Sequence, residues 1–311
     1  MPERAIAAAE PGRAEALATL DRSLIRATPG IYKRAWRRFR QDPVAMVSLT
    51  VVILIVAFVL AAPLVSHFTG FSYSENHLTN KLSKPFTNGY VLGSDANGRD
   101  ILTRLAYGGR ISLMVAIVAT VALLALGLGF GMIAGYAGGV LDAVIMRFVD
   151  VMLSIPQLPL LILVATLYAP TPVGLALIIA FTAWPGPARL IRGEVLALRQ
   201  REYIDAARVV GSPPWRILTR HIVPNVTPII VIQASLAVPG LILAESGLSF
   251  LGLGVRVPTP SWGNMLEEAA RFYRTNWTNV FFPGLIIYIA SLALYLVGIA
   301  LRDALDPKLG D

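Results

Sequence analysis

Long runs of apolar residues without charge dominate the pattern of this chain. They cover residues 43–66, 111–141, 151–188, 225–255 and 275–301, and a single acid interrupts the fourth of them. About 20 apolar residues at about 1.5 Å each cross ~30 Å of hydrocarbon. The runs therefore predict membrane-spanning helices.

The run 151–188 is too long for one crossing. The sequence APTP at residues 169–172 divides it, because proline stops a helix. Two spans result, at about residues 143–168 and 173–193, which gives six in total. The first run begins beyond residue 40, is too long for the apolar core of a signal peptide and has no cleavage pattern after it. We interpret it as a retained helix.

Composition supports a membrane protein and excludes several other classes. Of 311 residues, 55% are hydrophobic and 15% charged, whereas a soluble domain has about 25% charged residues. The absence of cysteine excludes disulfides and thiol catalysis, and the three histidines are too far apart in sequence for a metal site. The net charge of +8 is interpreted as Lys and Arg retained on the cytoplasmic side, without a nucleic-acid partner.

The placement of basic residues predicts the orientation. Basic residues crowd the entry to the first span, and the loop after the fourth span carries five arginines. Both regions are therefore expected in the cytoplasm, with both chain termini. The opposite side carries a counter-signal of five basic residues, Lys81, Lys84, Arg99, Arg104 and Arg110.

We divide the chain accordingly. Residues 1–43 form a cytoplasmic tail, poorly ordered to about residue 30, and an amphipathic helix in the headgroup layer, with Trp36 and Phe39 on its apolar face. The first transmembrane helix follows at 44–66 and an extracytoplasmic segment at 67–108. The remaining segments are a five-helix core at 109–302, containing a cytoplasmic loop at 196–225, and a cytoplasmic tail at 303–311.

Several residues within the spans predict how the helices pack. Gly127, Gly131 and Gly135 share one helix face, which favours close packing inside the chain over a dimer interface. Arg147 and Asp150 are spaced to neutralise each other. The pairs and triplets of Pro and Gly at 156–159, 185–187 and 239–240 indicate broken helices.

Two polar residues of the fifth span are candidates for a translocation pathway, Gln233 and Glu245. For Glu245 the favoured alternative is a buried hydrogen-bonding anchor between helices, with Ser246 and Ser249 nearby.

The segment 201–225 predicts a helix–turn–helix. Gly211 suits a left-handed C-terminal cap, Ser212 an N-cap and Pro213 the first position of the next helix. Ala206 and Ala207 provide a surface of small side chains against which another protein can pack. A plain solvated loop explains the charges but not these small residues.

This segment resembles the EAA loop of ABC importer permeases. Asp205, Ala206 and Ala207 occupy the EAA positions, Gly211 has the required spacing, and Val223 and Pro224 occupy the Leu-Pro positions. Two positions depart from the pattern, because Asp replaces Glu and His221 stands where Ile is expected. The resemblance implies an ATPase-coupling role for the residues Glu202, Asp205, Ala206, Ala207, Gly211, Trp215 and Pro224.

Four further stretches are similar to the dipeptide/oligopeptide/nickel permease family. They are WRRFRQDPVAMVSL (36–49), VLGSDANGRDILTRLAYGGRISL (91–113), GLSFLGLGVRVPTPSWGNML (247–266) and LRDALDPKL (301–309). The resemblance implies an all-α type I ABC importer permease fold with six transmembrane helices in a bacterial or archaeal cytoplasmic membrane. It also implies a homologous second permease subunit, two cytoplasmic ATP-binding subunits and an extracytoplasmic substrate-binding protein.

The same resemblance implies a non-catalytic subunit with no cofactor of its own, because partner subunits bind ATP and Mg. The chain indeed lacks a GxxxxGK[ST] phosphate loop. Peptides are the expected solute, with nickel and glutathione as alternatives.

Two other classes are weighed against this one. A secondary transporter would also have broken helices but needs intramembrane ionisable residues, for which Arg147, Asp150 and Glu245 are thin evidence. An intramembrane serine hydrolase would need a histidine base near Ser246, and no predicted span contains a histidine.

The last prediction is a short amphipathic helix at residues 261–272, on the outer surface. Its first possible role is to plug the bundle with Trp262 and Leu266. Its second is to dock a binding protein through the charged residues Glu267, Glu268, Arg271 and Arg274.

Overall fold

The computed structural model describes residues 31–168 and 171–305. These residues form helices and loops and include no β-strand, only two isolated bridges. The all-α membrane fold predicted from the sequence is confirmed. The predicted N-terminal tail, half of the APTP turn and most of the C-terminal tail lie outside the described residues.

The helices are α1 (Ile31–Gln41), α2 (Pro43–Leu60), α3 (Ala62–Thr69), α4 (Ile101–Ala137), α5 (Gly139–Ser154), α6 (Gln157–Tyr168), α7 (Pro172–Ala183), α8 (Pro185–Arg199), α9 (Glu202–Val209), α10 (Pro214–Ile217), α11 (Val223–Phe250), α12 (Trp262–Ala270) and α13 (Thr278–Leu305). A 3-10 turn at Leu78–Asn80 precedes α4, and a π-helical segment at Leu218–Ile222 joins α10 to α11.

Four helical stretches are long and apolar enough to cross a membrane: α2, α4, α10 to α11 and α13. Two further helix pairs are apolar enough only when taken together and are bent at a short break, α5 and α6 by 88° and α7 and α8 by 50°. Counting each bent pair as one span gives up to six. Pro156 and Pro185 stand at the two breaks, where the missing proline N–H interrupts the helical hydrogen bonds. The break predicted at residues 239–240 is wrong, because Pro239 lies inside the continuous helix α11, and a membrane helix tolerates a proline whose freed backbone groups find other partners.

The long helix α4 is the centre of the bundle and packs along α8 through its three spaced glycines. A Cβ on Gly127 would lie 2.8 Å from the Cβ of Pro187, and a Cβ on Gly131 would lie 2.7 Å from the Ala188 carbonyl oxygen. Such distances leave no room for any side chain. Close packing inside the chain, the favoured interpretation of this stripe, is confirmed.

The expected Arg147–Asp150 pair is wrong. Asp150 of α5 bonds Arg189 of α8 instead. Asp142 of α5 accepts two bonds from Arg192 of α8, at 2.5 and 2.6 Å. Spacing along one helix cannot show that a guanidinium group on a neighbouring helix lies closer.

The amphipathic helix α1 packs on the end of the last span. Ala35 and Phe39 are buried in a cluster with Ala300, Ala304 and Leu305 of α13. Its apolar face therefore contacts protein, whereas the sequence predicted that this face would lie in the headgroup layer.

Candidate functional site

Residues 202–224 form a helical turn at one end of α11, called the 202–224 segment below. The chain reverses after α9 in a Schellman motif: Ser212 N donates to Ala207 O at 3.0 Å, and Gly211 N to Arg208 O at 2.9 Å. Gly211 has φ +80°, which confirms its predicted left-handed cap. The next helix starts one residue later than predicted, because Pro213 takes the N-cap position and Pro214 the first turn.

One side of this segment is anchored in the bundle. Ile204, Ile217 and Ile222 are buried in a cluster that also contains Ile191 and Val195 of α8. The buried residue is Ile222 and not His221, although His221 occupies the motif position for Ile. Ile222 comes one residue after the motif position, and in the π-helical segment its side chain nevertheless points into the buried cluster.

The other side exposes apolar side chains. Val209 and Val210 are 88% and 85% exposed, and Trp215 is 63% exposed. Large apolar groups this exposed in a polar segment are typical of a contact surface for another protein. The sequence-based list contained Trp215 and missed both valines. Two adjacent β-branched apolar residues ahead of a glycine cap could have indicated them.

Most of the other predicted coupling residues are exposed as well. Those that are exposed are Glu202, Asp205, Ala206, Gly211 and Pro224, and Ala207 is half-buried. Asp205 accepts a bond from Arg208 at 2.8 Å, and both line a concave surface with Arg199 of α8. The structure thus brings the predicted residues together at one end of the molecule.

Glu245 lies near the other end of α11 and is completely buried. It accepts hydrogen bonds from the hydroxyls of Ser112 at 2.8 Å and Ser249 at 2.7 Å. Ser112 Oγ in turn accepts from Trp262 N at 3.2 Å, and Ser249 Oγ from Val255 N at 3.3 Å. The carboxylate thereby ties α4, α11 and α12 together, a geometry that favours the anchor alternative. Gln233 is half-buried on α11.

Four charged side chains form a buried cluster beyond that end of α11. Arg99 donates to Asp95 at 2.7 Å and to Glu268 at 2.6 Å, and Arg104 donates to Glu268 at 3.0 Å. Arg99 and Arg104 are 3% and 1% exposed. Glu268 therefore faces the protein, in contrast to its predicted role as a docking charge.

Further polar bonds join the same two stretches of chain, residues 71–105 and 252–279, called the polar cap below. Asn276 Nδ2 donates to Ser83 O and Asn279 Nδ2 to Ser94 O, each at 3.1 Å. Trp262 is fully buried, and its indole N–H donates to Leu105 O at 2.9 Å. The helix predicted at residues 261–272 is confirmed as α12, with Ser261 and Asn264 forming a capping box.

Two groups of the polar cap have raised pKa values because burial disfavours their charged forms. Burial raises the pKa of Asp100, whose carboxylate caps α4 by accepting from Thr103 N at 2.7 Å. Burial also raises the pKa of Tyr90, whose hydroxyl donates to Gly98 O at 2.8 Å. Both groups serve structure, because their bonds are made within the cap.

The membrane-length helices and the two bent helix pairs define a multi-pass membrane protein with an exposed apolar segment at one end. A profile of the family described as binding-protein-dependent transport system inner membrane component matches residues 127–311. A second profile, described as the N-terminal TM domain of oligopeptide transport permease C, matches residues 30–85. The chain belongs to the binding-protein-dependent transport system inner membrane component family.

Relatives similar over most of their length support this membership. The oligopeptide transport system permease protein OppC of Haemophilus influenzae is 39% identical over 279 residues, which is 89% of each chain. OppC of Bacillus subtilis is 38% identical over 97% of this chain and 96% of its own. The dipeptide transport system permease protein DppC of Bacillus subtilis is 36% identical over 88% of this chain and 85% of its own.

A solved inward-facing MetNI methionine ABC transporter has a TM-score of 0.47 at 20% identity, over 64% of this chain and 94% of that one.

Proposed function

We propose that this chain is a membrane subunit of an ABC importer for peptides and forms half of the translocation pathway. The observation that carries the proposal is similarity over almost nine-tenths of the chain to relatives named oligopeptide and dipeptide transport permeases. The other half of the pathway comes from a homologous second permease subunit. An extracytoplasmic binding protein delivers the peptide.

The 202–224 segment is the proposed contact with a cytoplasmic ATPase subunit. Val209, Val210 and Trp215 supply apolar contact area, and Asp205 with Arg208 supplies charge that sets the register. Two such ATPase subunits bind ATP and Mg, so this chain carries no cofactor and no catalytic residue. The chain termini lie on the same cytoplasmic side as the segment.

The buried isoleucines connect movement of this segment to movement of the membrane helices. Ile204 and Ile217 pack against Ile191 and Val195 of α8 and Val226 of α11. Close-packed contacts transmit displacement because the side chains have no room to yield. Closure of the ATPase would therefore move α8 and α11 with the segment and switch access between the two sides of the membrane.

Within the membrane the two pathway candidates receive different roles. Gln233 is a candidate for contact with the solute, because its side chain is only half-buried by this chain. Glu245 serves as an anchor, because its oxygens are occupied by serine hydroxyls.

The test uses the reconstituted transporter with all subunits in proteoliposomes. Val210→Asp should leave the permease inserted but abolish ATPase association and peptide uptake. The matched control is Val257→Asp, an exposed valine in the polar cap, which should retain the association. Equal ATPase binding by both variants would contradict the coupling assignment.

Uptake measurements with candidate solutes test the proposed substrate class and the dependence of transport on ATP. ATP-dependent uptake of a labelled dipeptide or oligopeptide is expected. Uptake of nickel or glutathione alone would change the substrate class and leave the machinery intact. Uptake that persists without ATP and collapses with an uncoupler would indicate a secondary transporter.

A further inference from the structure

Helix α1 presents two chemically opposite faces. Ala35 and Phe39 are buried against α13, whereas Lys33, Arg37 and Arg40 are exposed. At about 100° per residue these three cations lie within about 60° of one another, on the side opposite Ala35 and Phe39. The helix therefore directs a compact positive face away from the bundle.

The apolar face of α1 is already occupied by protein, which changes how the helix can meet a membrane. Among the side chains described from residue 33 to 41, Trp36 is the one large apolar group that is exposed. A single tryptophan suits the headgroup level but supplies little area for insertion into the acyl chains. Membrane contact through α1 must therefore be mainly electrostatic.

The first acid after α1 in the sequence is engaged elsewhere. Asp42 caps α2, because its carboxylate accepts from Val44 N at 2.8 Å and Ala45 N at 3.3 Å. No Asp or Glu occurs from residue 31 to 41. The cations thus have no acidic partner on their own helix.

We infer that the exposed face of α1 binds the headgroups of anionic phospholipids, with Lys33, Arg37 and Arg40 contacting the phosphate oxygens. Guanidinium and ammonium groups bind phosphate through charge-assisted hydrogen bonds. Because α1 packs on α13 and leads directly into α2, the bound lipids hold the first and last spans at one membrane level. This inference goes beyond the transport function and does not depend on the solute.

The test measures how closely each lipid approaches Trp36. The complete transporter is placed in nanodiscs of phosphatidylcholine that contain brominated phosphatidylglycerol or brominated phosphatidylcholine. The difference in fluorescence between the native chain and Trp36→Phe isolates the signal of Trp36 from the other tryptophans. Quenching of Trp36 should reach half its maximum at a mole fraction of phosphatidylglycerol at least about threefold lower than that of phosphatidylcholine, since each cation near the surface favours anionic lipid.

Charge-neutral variants identify the residues responsible. The triple variant Lys33→Gln/Arg37→Gln/Arg40→Gln should abolish the preference for phosphatidylglycerol, and about 0.5 M NaCl should do the same by screening. The variant Arg37→Lys/Arg40→Lys keeps the charges and should keep the preference, which guards against simple misfolding. A matched triple at the polar cap, Lys81→Gln/Lys84→Gln/Arg256→Gln, removes three exposed cations and should leave the preference unchanged.

Two results would overturn the inference. The first is equal quenching by the two lipids, which would mean neutral insertion of Trp36. The second is a preference that survives the α1 triple variant, and if that variant also loses a partner subunit, the positive face is a protein contact.

Discussion

The polar cap and the 202–224 segment lie at opposite ends of α11. They contain similar residue types but differ in which of these residues are buried. Both contain a short helix, charged side chains and a buried apolar anchor. In the cap, Arg99 and Arg104 are buried and share the carboxylate of Glu268. In the 202–224 segment, Asp205 and Arg208 pair at the surface, and Val209 beside them is almost fully exposed.

This contrast separates a region whose polar groups are paired within the chain from a region that leaves apolar groups uncovered. Buried charges are tolerated only when they are paired and hydrogen-bonded. In the cap the partners come from both chain stretches, and the ion pairs therefore join these stretches to each other. The segment instead leaves apolar area in contact with water, which is unfavourable until another protein covers it. We therefore expect mutations in the cap to act on stability and mutations in the segment to act on assembly.

The strongest test of this contrast is Glu268→Lys. The change leaves Arg99 and Arg104 buried beside a third positive charge, and breaking a buried pair costs about 3–5 kcal/mol. The purified permease should unfold at a clearly lower temperature or fail to accumulate in the membrane. The control is the neighbouring Glu267→Lys, which breaks only the surface pair with Arg271 and should cost about 0–1 kcal/mol. Similar losses in both variants would contradict the buried cluster.

The second prediction concerns the carboxylate that joins the cap to the bundle. Glu245→Ala removes the acceptor of Ser112 and Ser249 and should cost about 2–3 kcal/mol, because each buried unsatisfied group costs about 1–3 kcal/mol. Glu245→Gln retains one carbonyl oxygen and should cost less. Thermal unfolding in detergent measures the difference. If instead both variants are stable but lose uptake, Glu245 belongs to the pathway.

The third prediction compares one glycine from each end. A Cβ on Gly109 would lie 2.4 Å from Val59 Cγ2 and 2.8 Å from Trp262 Cζ2, so Gly109→Ala should destabilise the cap by about 1–3 kcal/mol through overpacking. A Cβ on Gly211 would meet nothing within 4 Å, but its φ of +80° disfavours alanine by about 1–2 kcal/mol.

The two glycine variants should differ in what they impair. Gly109→Ala should lower the unfolding temperature of the isolated permease, while Gly211→Ala should mainly reduce coupled ATPase activity. Gly211→Asn tolerates the left-handed conformation and should retain most coupling. Loss of coupling in Gly211→Asn equal to that in Gly211→Ala would show that the side chain and not the backbone is at fault.

The smallest expected effect is a pH dependence in the cap. The pKa of Asp100 is raised by burial, so the stability associated with its protonated form is present at low pH and lost as pH rises through the raised pKa. Asp100→Asn should remove this part of the dependence while keeping an oxygen to cap α4. Unfolding temperatures of both proteins between about pH 4 and 8 check it. Parallel curves would contradict a raised pKa.

Local patterns predicted much of this architecture. Apolar runs predicted the four continuous spans, and Pro156 and Pro185 the breaks in the other two, because proline acts on its own helix. Gly211 predicted the turn of the 202–224 segment for the same local reason. The boundary at Ser212 was wrong by one residue, since two consecutive prolines both suit a helix start and the sequence alone does not decide between them.

Partners distant along the chain were not predictable in this way. The sequence pairs Asp150 with Arg147 because the two lie three residues apart on one helix, and it groups Glu268 with the charged residues that could dock a binding protein. Their actual partners are Arg189 and the pair Arg99 and Arg104, and the latter two lie more than 160 residues away from Glu268. The choice depends on which helices meet in space.

The sequence by itself determined that this chain spans a membrane, that helices bend at Pro156 and Pro185 and that the chain turns at Gly211, because hydrophobic length, proline and glycine act locally. Only the tertiary structure decided which charges are buried and which surfaces remain open. It placed the apolar face of α1 on α13 and the positive face outward, and it buried Ile222 in place of His221. Burial is a property of packed neighbours, and neighbours from distant parts of the chain come together only in the folded protein.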